Sequence, residues 1–260
     1  MKMSTLKSMM LAGAVFAMVG CGSSSDTFGG VDPLATERPA SQLPTDGTAE
    51  TTTGIPDDIQ AIIDGPVSKI SQELTNTLSY MGNEERLAYD VYNALYVKYG
   101  KKIFTNIATK GEFQHITLVQ ELVQKYKLSD DVNFTNVDLP PLGYMNTAIE
   151  DMVPGVYDVS AIQGLYDDLM AMATDETEAL KVGCRIEVID IMDLDHDIAL
   201  AEAEDAADII EVFKILRAGS YNHYWAFDGA LQNGCCSIAL EILGGTECPT
   251  TEDYPKSNKQ

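Results

Sequence analysis

From Ile70 onward the apolar positions step by three and four: Ile70, Leu74, Leu78, Met81, Ala88, Tyr92 and Leu95 form one stripe, and Gly100 closes the helix that this spacing predicts. The same period predicts a second long helix over 103–126, a short one over 161–172, a third long helix over 176–199 and a fourth over 204–232. Between 128 and 160 the period fails and Pro140, Pro141 and Pro154 interrupt it, so this stretch reads as a long crossover connection. No segment alternates as a strand would, and there is no internal repeat. The expectation is an all-α fold: four long helices in a bundle, with one long crossover connection and a short extra helix.

Each long helix carries ionisable side chains on its own apolar line. Glu85 lies in the first stripe, four residues after Met81 and seven before Tyr92. In the second helix Phe104, Ala108, Leu118 or Val119, and Leu122 define a line that runs through Glu112 and His115, within the stretch EFQH. The third passes from Leu180 and Cys184 through Glu187 and Asp190 to Ile191, Leu194 and Ile198, and the fourth from Ile209, Phe213 and Leu216 through Ser220 and His223 to Phe227 and Leu231.

A buried carboxylate without a partner costs several kcal/mol. Four acids and two imidazoles buried together therefore need one shared compensation. Two divalent ions supply it, since oxygen and imidazole ligands suit iron, manganese or zinc and four carboxylates balance two dications. Residues three apart share a helix face, so Glu112 with His115, and Glu187 with Asp190, can each address one site. The candidate metal ligands are Glu85, Glu112, His115, Glu187, Asp190 and His223. Glu84 competes with Glu85, because Tyr80, Leu87 and Val91 make its face partly apolar too. No residue is singled out as catalytic.

Composition narrows the partners. Forty Asp and Glu stand against 17 Lys and Arg, a formal charge of −23 in 260 residues. Nucleic-acid binding rests on basic side chains that displace counterions, so this charge sets nucleic acid aside. At the N-terminus Lys2 and Lys7 precede the apolar run 9–19, too short to span a bilayer, and small residues lead into Met18-Val19-Gly20-Cys21. This resembles a bacterial lipoprotein signal with its lipobox, which implies removal of 1–20, lipidation of Cys21 and a place in the cell envelope, anchored to the membrane and facing the periplasm or exterior. Residues 22–55 are rich in Ser, Thr, Gly and Pro and read as a flexible tether. The organisation expected is thus signal 1–20, lipidated Cys and linker 21–55, helical bundle 56–235 and a tail 236–260.

In an exported chain the other four cysteines meet an oxidising compartment. They allow three pairings. Cys235, Cys236 and Cys248 lie close in sequence, so a bond from Cys248 to Cys235 or Cys236, linking the tail, is expected, while Cys184 sits in a helical apolar pattern and reads as a buried thiol.

The order Glu85-x-x-Ala88-x-x-x-Tyr92 then Glu112-x-x-His115 resembles the first helix pair of ferritin-like and rubrerythrin-like di-iron proteins. More narrowly, MGNEERLAYDVYNALY, IFTNIA, LYDDLM, ALKVGCRIEVIDIMDL and AGSYNHYWAF resemble the ferritin-like family DUF2202, over about 78–232. The resemblance implies a ferritin-like fold and a metal centre of two iron ions, or manganese. One departure matters: the wider pattern offers Glu-x-x-His on the fourth helix, but here Ser220 stands three before His223, and Asp190 is the candidate to replace that carboxylate.

Other polar residues read more plainly. His196, in DLDHD, reads as a solvated surface residue; Tyr92, Tyr221, Tyr224 and Trp225 read as core packing; Asn222 and Arg217 are candidates to hydrogen-bond the ligands, though nothing in the spacing demands it. Two functions follow. One is an oxidoreductase acting on Fe(II), oxygen or peroxide; the other is a membrane-tethered module that holds metal or a protein partner without turnover. The chain has no Cys-x-x-Cys pair for a rubredoxin-type iron site, so repeated reduction would draw on an external electron donor.

Overall fold

The structure, a computed structural model, describes residues 55–127, 153–157 and 160–256. The described residues are all-helical: α1 (Asp57–Ile63), α2 (Gln72–Tyr99), α3 (Lys102–Ile107), a π-helical turn (Ala108–Glu112), α4 (Phe113–Lys127), α5 (Ser160–Met172), α6 (Glu176–Ala203), α7 (Ala207–Ala230) and α8 (Cys235–Leu243). None of them is long and apolar enough to cross a membrane. Residues 1–54, which hold the expected signal and nearly all of the expected tether, lie outside the described residues, as does most of the connection before α5.

Local chemistry explains the boundaries. Ser71 caps α2 by accepting from the Leu74 amide at 3.1 Å, so Ile70 stands outside the helix. Gly100 ends it in the left-handed region, at φ 69°, where a Cβ would be strained. Asp175 caps α6 by accepting from the Thr177 and Glu178 amides. The third helix runs on to Ala203 and the fourth begins at Ala207, because Asp205 turns the chain at φ 53°.

The buried apolar side chains fall into two clusters. One holds Tyr92, Leu95, Phe104, Val188, Ile191 and Phe227. The other holds Leu74, Leu78, Ile116, Leu194, Phe213 and Leu216. Each long helical segment crosses from one cluster to the other, and the order of crossing gives its direction: α2 and α7 run one way, α3–α4 and α6 the other. Hence α4 ends and α6 starts at opposite ends of the core, which obliges the long connection between them. On every long segment an ionisable group stands near the crossing.

One expectation needs correction: Cys184 is not a free thiol but is bonded to Cys235. Of the two partners expected for Cys248, the structure pairs it with Cys236. The 235/236 boundary falls inside α8, which packs on α6 and α7 and is held by both disulfides. Segment 153–157 is tied to α2: Arg86, 2% exposed, donates to the Val153 and Val156 carbonyls, and Asp90 accepts from the Gly155 amide and the Tyr157 hydroxyl.

Candidate metal centre

Four long helical segments, counting 102–127 as one, bring five side chains to one point between the apolar clusters. Glu85 comes from the middle of α2, Glu112 from the end of the π turn, His115 from the first turn of α4, Glu187 from α6 and His223 from α7. The π turn matters because it adds a residue to the turn before Glu112 and so resets which face the following helix buries, a device common at functional sites. Glu85, Glu112, His115 and Glu187 are at most 4% exposed.

Two triads share one residue. His115 Nδ1 lies 3.1 Å from both Glu85 Oε2 and Glu112 Oε2. His223 Nδ1 lies 3.1 Å from Glu112 Oε1 and 3.4 Å from Glu187 Oε2. Glu112 thus turns one oxygen to each imidazole. The donor atoms of Glu85, Glu112 and His115 all lie within 4.8 Å of one another, as do those of Glu112, Glu187 and His223. The two rings are 5.5 Å apart between centroids.

Both imidazoles press against glycine backbone. A Cβ on Gly111, in the π turn, would meet His223 Nε2 at 2.2 Å, and one on Gly219, in α7, would meet His115 Nε2 at 2.3 Å. No real side chain fits in either gap. The glycines let each ring lie against a neighbouring segment with Nδ1 3.1 Å from a carboxylate oxygen.

The electrostatics are those of a cluster short of cations. Burial raises the Glu85 carboxyl to about 7, against the pull of His115. Burial and its acidic neighbours raise Asp190 well above the usual range, and burial raises Glu187. Burial also works to raise Glu112, but His223 and His115 outweigh it and hold this carboxyl well below the ordinary range. The imidazoles answer in kind: burial disfavours their charge, yet Glu112 and Glu187 lift His223 to about 10, and Glu85 and Glu112 lift His115 well above its usual value.

The donor set fits divalent metal better than it fits itself. Glu85 Oε1 is buried without a hydrogen-bond partner, and so is His223 Nδ1, whose ring is not aligned for a bond to either nearby carboxylate. Orphaned buried atoms of this kind ask for a ligand between them. Carboxylate and imidazole donors suit first-row dications.

Asp190 stands just outside the two triads. It lines the same cavity and accepts from Ser220 Oγ at 2.5 Å. Tyr92 does more than pack: its hydroxyl donates to Glu187 Oε1 at 2.5 Å. Glu84 belongs to neither triad; Asp193 and Asp190 of α6 are among its close acidic neighbours, and it too borders the cavity. His196 is solvated, with 63% of its side chain exposed. Arg217 pairs with Asp195, and Asn222 donates to the Ala218 carbonyl; neither bond reaches the centre.

Fold and site together define a class: an all-helical protein with buried glutamate and histidine groups that could bind a metal ion. The profile of the family described as uncharacterized protein domain DUF2202 matches residues 75–238, a span containing every candidate ligand, and the chain belongs to that family. It is 36% identical over 169 residues to the uncharacterized protein MJ0754 of Methanocaldococcus jannaschii, covering 65% of this chain and 80% of that protein. The crystal structure of that hypothetical protein is similar at a TM-score of 0.54 and 32% identity, over 71% of this chain and 99% of that one.

Proposed function

We propose that this chain is a ferritin-like four-helix-bundle protein with a dinuclear centre of two iron ions, or manganese, and that it is an oxidoreductase acting on Fe(II), oxygen or peroxide. The observation that carries the reading is Glu112, whose two oxygens face two separate histidines within a buried cluster. Glu85 and His115 would hold one ion, Glu187 and His223 the other, with Glu112 shared. The opposite directions of α2 and α3–α4, and of α6 and α7, agree with a bundle that has one long crossover. Asp190 brings the carboxylates to four, enough to neutralise two dications.

Bound metal would supply one-electron chemistry toward a small oxidant. The protein's part is geometric. Tyr92 fixes the rotation of Glu187 through its hydroxyl, and Ser220 fixes that of Asp190. The cavity beside the carboxylates is walled by Leu165 and Leu169 of α5 and by Ile186 and Ile189 of α6, an apolar approach that suits oxygen or peroxide and keeps bulk water from the ligands. The lipobox ending at Cys21 further supports a membrane-tethered protein of the cell envelope.

Anaerobic reconstitution with Fe(II), followed by exposure to oxygen, tests the reading. About two irons per chain and oxygen consumption above that of free Fe(II) are expected. Occupancy unchanged when His115 and His223 are both replaced by Ala would overturn the centre; two irons without oxygen or peroxide consumption would leave a metal-holding module in place of an enzyme.

A further inference from the structure

Glu187, Asp190, Asp193 and Asp197 follow one another along α6 in steps of three, three and four. That spacing sets all four carboxylates on one face over a rise of about 15 Å. The inner end is Glu187, a member of the Glu112 triad. At the outer end Asp197 meets the exposed His196 at 3.0 Å. Between them Asp190 borders the cavity together with Glu84, and Glu84 reaches across from α2 to bond Asp193.

Compensation along this line is only partial: Ser220 donates to Asp190 and His196 meets Asp197, but no lysine or arginine among the described residues answers the charge. Asp193 is 6% exposed and its Oδ2 has no hydrogen-bond partner. The Tyr80 hydroxyl beside Glu84 and Asp193 is buried and unpartnered as well. Among the described residues, no lysine or arginine forms an ion pair with Glu84, Asp190, Asp193 or Asp197. A packing role would favour apolar side chains here, since uncompensated buried carboxylates cost stability. Nor is the line a third resting site: among the described residues only the two triads bring three donors together within 4.8 Å.

We infer that the face Asp197, Asp193, Asp190, with Glu84 opposite, is the path by which divalent cations enter from the surface and reach the buried centre. The inference rests on the metal-centre reading above and adds how ions arrive there. The acids are transit and positioning groups and take no part in chemistry at the centre.

The full chain, stripped with chelator and mixed with Co(II), reports loading through the Co(II) absorbance in stopped flow. Asp193→Asn and Asp197→Asn keep shape and remove charge; each is expected to reach the wild-type Co(II) stoichiometry, but about tenfold more slowly. Glu202→Gln removes the same charge from an exposed position on the same helix and is expected to load at the wild-type rate. Equal rates in Asp193→Asn and wild type would overturn the path, as would equal slowing by Glu202→Gln, which marks a general field effect. A lowered final stoichiometry in Asp193→Asn would make Asp193 a ligand and overturn it too. Should Asp193→Asn not fold, Asp197→Asn at the outer end of the line carries the same comparison. Wild-type protein that takes up no Co(II) would instead sink the metal centre itself.

Discussion

The Tyr92 hydroxyl donates to Glu187 Oε1 at 2.5 Å across the interface of α2 and α6. Burial, with Glu187 and Glu112 nearby, keeps this phenol protonated far above neutrality, so it is a fixed donor at every working pH. Tyr92→Phe keeps the ring that packs on Phe104 and Phe227 and deletes only the bond. Loss of a bond that orients a ligand typically weakens metal binding roughly 10- to 100-fold, and a hydrogen bond to a charged group is worth about 2 kcal/mol. Competitive titration of Co(II) against a chelator should show that weakening, with two ions still bound at saturation. Unchanged affinity would reduce Tyr92 to core packing.

Gly111 and Gly219 set up an unusual contrast between stability and binding. A Gly-to-Ala change inside a helix gains about 1 kcal/mol from propensity, while overpacking costs about 1–3 kcal/mol. In the metal-free protein the balance is about 0–2 kcal/mol against Gly219→Ala, so its melting temperature should fall only modestly. Its metal content should fall sharply, because the Cβ would occupy the space of His115 Nε2. Gly111→Ala should do the same through His223. Elemental analysis beside calorimetry separates the two effects, and full occupancy in both variants would refute the role given to the glycines.

The proposed lipid anchor at Cys21 makes a cellular prediction. Stable anchoring takes two acyl chains, since a single chain binds only marginally. Wild-type protein should therefore fractionate with membranes and be released by detergent but not by high salt. Its acid excess opposes simple adsorption to anionic headgroups, which is what salt would reverse. Cys21→Ala should yield soluble protein or uncleaved precursor; wild-type protein found free in the cytoplasm would contradict the anchor.

Long amphipathic helices announce themselves in sequence because their period persists for several turns, and α2, α6 and α7 were legible for that reason. Glu85, Glu112, His115, Glu187 and His223 were legible because each interrupts such a stripe. Helices of seven and nine residues, α1 and α8, are too short to establish a period. The π turn hid in the steps from Phe104 to Ala108 to Glu112, two intervals of four that an ordinary helix also tolerates. Cys184 and Cys235 lie 51 residues apart, and only packing of α8 on α6 selects their pairing. The bond from Tyr92 to Glu187 and the glycine seats of the imidazoles depend on the facing of different helices, which no single stripe contains.

The acids of α6 predict how the metal-free protein responds to pH. Burial, with the charge of Asp197, pushes Asp193 up to about 7, and burial pushes Asp197 up to about 6. A raised carboxyl pKa means the folded chain binds the proton more tightly than the unfolded one, whose Asp titrates at about 4. Stability from these groups is therefore greatest at low pH and declines from about pH 4 to about pH 7, by an amount on the order of a few kcal/mol. His223, raised to about 10, adds to the same trend: its contribution is complete below about 6.5 and is lost as pH rises through 10. Chelator-treated protein should consequently melt higher at pH 5 than at pH 8. Asp193→Asn should raise the melting temperature at pH 8 and have little effect at pH 5. Metal acts in the opposite sense, because ligands must be deprotonated to bind it. The gain in melting temperature on adding metal should then widen from pH 5 to pH 8, and a metal-free melting temperature that climbs over that interval would show that the acidic face is solvated in place of buried.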